Sequence, residues 1–147
     1  MAHTHTNLFF HIVWSTKNRE PLLSEEFEKR LHMYLRRSIE GYNGHLLAVN
    51  GMPDHIHMLV NLPASVLLAE IMRRIKTGSS KWLATCIPGF GWQIGYGAFS
   101  VGHASVDQVS NYINNQKVHH QKMSYAEEYV RFLKIQGIIY DERFVLD

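Results

Sequence analysis

The run Met52-Pro53-Asp54-His55-Ile56-His57-Met58-Leu59-Val60 restricts this chain more than any other stretch. Gly51 to Asp54 is turn chemistry, and the aliphatic and β-branched residues after it have the composition of a buried strand. Strand side chains alternate between faces, so Ile56, Met58 and Val60 share one face and His55 and His57 the other. The apolar face must be covered by other elements, whereas the histidine face has room for a site. At about 3.3 Å of rise per residue the two histidine Cα atoms stand about 6–7 Å apart, close enough for both imidazoles to converge on one metal ion. Neutral imidazole is a common metal ligand. Two of them leave the coordination sphere incomplete, so a third ligand and water or substrate oxygens are required. His3-Thr4-His5 repeats the spacing at the terminus, where chains fray, and is read as non-functional.

The rest of the chain supplies the covering elements. Leu8 to Ser15 is aromatic and β-branched, a first strand. Lys17 to Pro21 is a polar loop. Ser24 can cap a helix that opens with Glu25 and Glu26, carries Phe27, Leu31, Leu35 and Ile39 at four-residue spacing, and ends at Gly41 and Gly44. His45 to Asn50 is a second strand and His55 to Leu62 the third. From Ser65 a second helix turns Leu68, Ile71, Met72 and Ile75 inward, until Pro88-Gly89-Phe90-Gly91 breaks it. Trp92 to Val101 reads as a fourth strand, with Gly95 and Gly97 marking a bulge or a close backbone approach. Capping boxes at Ser105-Val106-Asp107-Gln108 and Ser124-Tyr125-Ala126-Glu127 open a third and a fourth helix, the latter stopped by Gly137. Ile138 to Asp147 is a tail of extended character. The order βαββαβ is ferredoxin-like: an α+β fold with an antiparallel sheet and helices on one face, plus C-terminal helices. The third helix is free to lie over the open face or to reach a second subunit. A length of 147 residues suits one domain spanning 1–147.

Composition narrows the class. No apolar run approaches the roughly 18–20 residues of a membrane span, and the first residues lack the pattern of a secretory signal. Cys86 is alone, which excludes an internal disulfide and suits a reducing cytoplasm. A net charge of +2 permits a nucleic-acid partner without requiring one.

Tyr112 and Gln116 lie in a stretch with helical character, and residues four apart share a helix face. If that face meets the histidine pair, the Gln116 carbonyl oxygen can be a third ligand and the Tyr112 hydroxyl sits beside a metal-bound phosphate. A phenol that attacks phosphorus stores the phosphodiester energy in a covalent link and permits religation; water does not. His119 and His120, one turn on, read as surface histidines near a helix C-terminus, or as groups that approach DNA phosphates or assist proton transfer. Arg73, Arg74, Lys76 and Lys81, with Ser79 and Ser80 between them, form a candidate phosphate-contacting stripe, and Lys17 and Arg19 a second patch. Gly95-Tyr96-Gly97-Ala98-Phe99-Ser100-Val101 has the glycine–aromatic alternation of an RNA-recognition strand without its leading basic residue.

Together these blocks resemble the HUH (histidine, hydrophobic, histidine) single-tyrosine transposases of bacterial and archaeal insertion sequences, the IS200-like family. The blocks are Met52 to Val60, His11 to Arg19, Trp92-Gln93 with Gly95 to Val101, Tyr112-Ile113-x-x-Gln116, His119-His120 and Tyr140-Asp141-Glu142, in family order over nearly the whole chain. The resemblance implies an enzyme that cleaves and rejoins single-stranded DNA through a 5′-phosphotyrosine and recognises subterminal hairpins. It implies His55, His57 and Gln116 as ligands of Mg2+ or Mn2+, Tyr112 as nucleophile, and an obligate homodimer whose sites can be completed in trans. Rival readings are a domesticated, repeat-associated tyrosine nuclease, a single-stranded RNA-binding module resting on Tyr96 and Phe99, and a metal-dependent hydrolase in which water attacks.

Overall fold

Strand alternation sorts the chain's apolar residues onto two sides of one sheet. The computed structural model describes residues 3–147; Met1 and Ala2, part of the terminus read above as lacking a signal, lie outside the described residues. Its elements are β1 (Phe9–Ser15), α1 (Glu25–Gly41), β2 (His45–Met52), β3 (His55–Asn61), α2 (Leu68–Cys86), β4 (Gly97–Val101), α3 (Val106–Asn114), a single turn α4 (Gln116–His119) and α5 (Tyr125–Ile135). The strands lie in the order β2-β3-β1-β4, every neighbouring pair antiparallel, which is the expected ferredoxin-like α+β arrangement. Among the described residues no helix is long and apolar enough to cross a membrane.

One face holds the main core. Ile12 and Trp14 of β1 and Ile56, Met58 and Val60 of β3 pack against Leu31, Leu35 and Ile39 of α1 and Ile71, Met72 and Ile75 of α2. The opposite face is covered as well. Val13 and Phe99 pack against Tyr125, Tyr129 and Leu133 of α5, and Phe9, Ala48 and Leu59 pack against Ile113 of α3. A register shift between Leu46 and Ala48 explains how β2 serves both sides. In an unbroken strand these residues would share a face. The bulge reverses the alternation, so Leu46 joins the α1/α2 core and Ala48 the α3 side. Asn50 then faces α3, where its Nδ2 donates to Asn114 O at 3.1 Å.

Several local expectations give way to tertiary structure. The β-ladder begins at Gly97 and not Trp92; Trp92 makes only an isolated bridge to Thr16. Lys76 Nζ donates to the carbonyls of Gln93, Ile94 and Gly95 at 2.7, 2.9 and 2.7 Å. Three successive carbonyls aimed at one ammonium cannot alternate as a strand requires. Gly95 does admit another backbone, its N–H meeting Asp147 O at 3.3 Å. At Gly97 a side chain approaches instead, since an added Cβ would stand 2.8 Å from Tyr129 Cε2. The Ser105 capping box does not form, because a 3-10 turn over His103–Ser105 brings the chain into α3 already coiled. The Ser124 box does form, with Glu127 N–H donating to Ser124 Oγ at 3.2 Å. Ser24 occupies the N-cap of α1 without a side-chain cap bond, and Asn43 (φ 62°), rather than a glycine, takes the left-handed position after that helix. The tail folds in turns rather than extending, and Tyr140, Val145 and Leu146 pack under α5.

Candidate active site

β3 turns His55 and His57 into the α3/α5 side of the sheet, both fully buried. The neighbours of their Nδ1 atoms orient them. His55 Nδ1 meets Asp54 Oδ1 at 2.6 Å, and His57 Nδ1 meets His11 Nε2 at 2.8 Å. Each imidazole is thereby held from behind, with Nε2 directed to the centre of the site. His57 Nε2 bonds Glu128 Oε1 at 2.7 Å, and His55 Nε2 lies 3.2 Å from Gln116 Oε1 and 3.6 Å from the same Glu128 oxygen. Burial lowers His57 to about 4, with His55 and His120 adding repulsion against Glu128's pull; burial and His57 lower His11 to about 3. Both rings are therefore neutral near pH 7. His11 can accept from His57 Nδ1–H or donate to Nδ1, so it serves either tautomer.

The tyrosine arrives from α3. Ile113, buried against the sheet, anchors the helix, and the residue before it, Tyr112, is half-buried with its hydroxyl on Glu128 Oε2 and 3.1 Å from His119 Nε2. Burial and the adjacent carboxylate raise the phenol well above its usual range. Tyr112 and Gln116 do not share one continuous helix. The chain breaks at Asn115 (φ −96°, ψ 15°), and Gln116 opens the separate turn α4. Lys117 ties that junction down, donating to Glu28 Oε1 at 2.6 Å and to Gly51 O at 2.5 Å. Even so, the predicted nucleophile and all three predicted ligands gather around one carboxylate within a single chain.

That carboxylate was not among the sequence candidates. Glu128 is buried on α5 between Tyr125, Tyr129 and Phe132, positions that share a helix face. A charged residue inside an apolar stripe is the signal that would have found it. Its carboxyl is held well below the usual range; burial opposes this, and the neighbouring His120 and His57 rings and the Tyr112 hydroxyl outweigh it. His120, read as a surface histidine, is partly buried, with its side chain turned in beside His55, the ring centroids 4.4 Å apart. His119 remains partly exposed at the hydroxyl. A cleft of about 700 Å3, lined by His11, Phe99, Tyr112, His119, Glu128 and Arg131 among others, opens onto the tyrosine.

The phosphate-contact candidates separate. Lys17 and Arg19 line a groove with Arg143, and Asn18 and Arg19 hold consecutive left-handed conformations, φ 56° and 57°. Arg73, Ser80 and Lys81 edge a second groove, and Arg74 is paired with Glu70 at 3.2 Å. Lys76 is committed to its three carbonyls. Ser79 is buried, donating to Ile75 O at 2.6 Å and accepting from Trp92 Nε1 at 2.9 Å. Both serve the fold, because their polar atoms face inward. Phe99 is buried and stacks on Phe132 beneath α5, so of the two aromatics compared with RNA-recognition modules it is not an open stacking platform, whereas Tyr96 is half-buried at the edge of the second groove.

The family model described as "Transposase IS200 like" matches residues 4–116. The transposase for insertion sequence element IS200 from Salmonella typhimurium is 32% identical over 83 residues, covering 56% of this chain and 55% of the relative. The chain thus aligns with about half the length of that relative. The ISDra2 transposase TnpA of Deinococcus radiodurans is 25% identical over 118 residues, 74% of this chain and 84% of the relative. In fold, the chain resembles a crystal structure of a transposase from Deinococcus radiodurans R1 (TM-score 0.63, 23% identity, 79% of this chain and 95% of that one). It also resembles a REP-associated tyrosine transposase bound to a REP hairpin (TM-score 0.62, 16% identity, 95% and 89%).

Proposed function

This chain belongs to the IS200-like transposase family, and from that membership we propose that it cleaves and rejoins single-stranded DNA with Tyr112 as nucleophile and a divalent cation, Mg2+ or Mn2+, at His55, His57 and Gln116. The observation that carries the reading is the shared carboxylate: Glu128 bonds His57 Nε2 with one oxygen and the Tyr112 hydroxyl with the other. A cation supplied there would neutralise charge on a phosphate and orient it for in-line attack.

The chain's own groups account for the rest. The phenol rests protonated, so attack needs a proton acceptor in contact, and His119 Nε2 and Glu128 are the two acceptors at the hydroxyl. The Tyr112 oxygen forms a bond to phosphorus as the bond from phosphorus to the 3′-oxygen breaks. The strand then carries its 5′-phosphate on the tyrosine, and the 3′-oxygen leaves as a hydroxyl, taking up through solvent the one proton that the phenol gave to its acceptor. Attack by that hydroxyl on the phosphotyrosine reverses the bonds and rejoins the strand. Asp54 and His11 hold the imidazoles in place throughout.

The reading extends to subterminal hairpins as substrate, in keeping with the REP hairpin held by one structural relative, to a homodimer, and to a cytoplasmic setting in which such DNA is available. A repeat-associated nuclease would use the same residues. The test is incubation with Mn2+ and a single-stranded hairpin from the native flanks, followed by denaturing electrophoresis. Wild type is expected to give a protein–DNA adduct, and Tyr112→Phe to bind the hairpin without one. An adduct that persists in Tyr112→Phe moves the nucleophile elsewhere, and cleavage by wild type with no adduct favours attack by water.

A further inference from the structure

The centre of the site holds more donor atoms than the histidine pair and Gln116 provide. One ring nitrogen each of His55, His57 and His120 and one carboxylate oxygen of Glu128 all lie within 4.8 Å of one another. His120 is the informative member. Its side chain is 4% exposed and its Nε2 stands 3.0 Å from Glu128 Oε2. Yet that nitrogen is out of alignment for a hydrogen bond and has no partner. Buried ring nitrogens in native proteins are ordinarily paired, and a cation among these atoms would satisfy this one. Glu128 faces two ways, Oε1 to His55 and His57 and Oε2 to Tyr112 and His120. His120 and Glu128 both lie beyond residue 116, where the family match stops.

Building on the reading of His55 and His57 as ligands, we propose that His120 and Glu128 ligate the same cation and that Glu128 bridges it to the nucleophile, one oxygen on the metal and the other on the Tyr112 hydroxyl. Three imidazoles and one carboxylate, with the Gln116 carbonyl, would offer the cation five protein donors and leave room for a phosphate oxygen. So nitrogen-rich a set favours Mn2+ or Zn2+ over Mg2+, which prefers oxygen ligands and retains water. Glu128 then acts as ligand and positioning residue together, and tyrosine placement becomes coupled to metal occupancy.

The experiment is calorimetric titration of the full chain with Mn2+, and separately with Mg2+, without DNA, on wild type, His57→Ala, His120→Ala and Glu128→Gln, each checked for folding by circular dichroism. Expected are Mn2+ affinity at least about tenfold above Mg2+ affinity in wild type, and a loss of at least about tenfold in Mn2+ affinity in both His120→Ala and Glu128→Gln. Wild-type affinity in those two variants, with binding lost in His57→Ala, overturns the proposal and leaves the histidine pair standing. Unchanged binding in all three overturns the histidine reading as well. Equal affinity for Mg2+ and Mn2+ overturns the nitrogen-rich donor set. Should Glu128→Gln fail to fold, the anomalous signal of Mn2+ in wild-type crystals decides: a cation about 2.2 Å from a Glu128 oxygen supports the proposal, and one out of bonding range of both oxygens overturns it.

Discussion

A buried histidine with no predicted role governs how another presents itself. His11 backs His57 at 2.8 Å and is itself neutral in the fold, its pKa lowered to about 3 by burial and by His57. An unfolded histidine titrates near 6.5. As pH falls from about 6.5 to 4, the unfolded chain takes up protons that His11 refuses in the fold, and His57 adds to this with its pKa of about 4. Stability is therefore complete above that window and declines through it. The melting temperature of wild type is expected to drop between pH 6.5 and 4, and that of His11→Gln to drop less steeply; parallel curves would remove His11 as a contributor. Arg19 carries a different strain. Its φ of 57° is costly for a residue with a Cβ, so Arg19→Gly is expected to raise stability by about 1 kcal/mol while weakening DNA binding, read by chemical denaturation and by filter binding. At this scale the histidine pair was legible because alternation alone decides which face it occupies. The apolar stripe of α5 marks Glu128 as buried, but not as part of the site. Its neighbours in space, and those of His120 after α4, come from β3 and α3, and no local spacing discloses which strand they will meet.

The position of α5 depends on a glycine in β4. A Cβ on Gly97 would stand 2.8 Å from the Tyr129 ring, so Gly97→Ala forces that ring to move and is expected to shift α5 outward and draw Glu128 away from Tyr112. The expected cost is about 1–3 kcal/mol, with adduct formation reduced further than that loss of stability explains; an adduct yield that merely follows the folded fraction would separate α5 from nucleophile placement. The order of elements was readable because amphipathic stripes and turn residues are local features. Three departures came from outside each segment: the ammonium that bends residues 93–95 out of a strand, the 3-10 turn that pre-empts the Ser105 cap, and the interruption at Asn115. The Leu47 bulge belongs with them, since it shows only against a partner strand.

Across the whole molecule both cores meet on β1 and β3: Ile12 and Trp14 face α1 and α2, while Val13 faces α5. Neither layer of helices can detach without exposing strands the other also needs. We propose that the chain behaves as one domain and unfolds as one unit, giving a single calorimetric transition whose van't Hoff and calorimetric enthalpies agree; two resolved transitions would divide it. Helices on one sheet face were expected from the βαββαβ order. The second covered face was only permitted by it, because nothing local to α3 or α5 says which surface they bury. This dependence on α5 has a temporal side. Glu128 follows His57 by 71 residues, about 4–14 seconds of synthesis at ordinary elongation speeds. A ribosome therefore releases the imidazoles well before the phenol and the carboxylate that seats it, and a half-translated chain carries the histidine pair without its tyrosine.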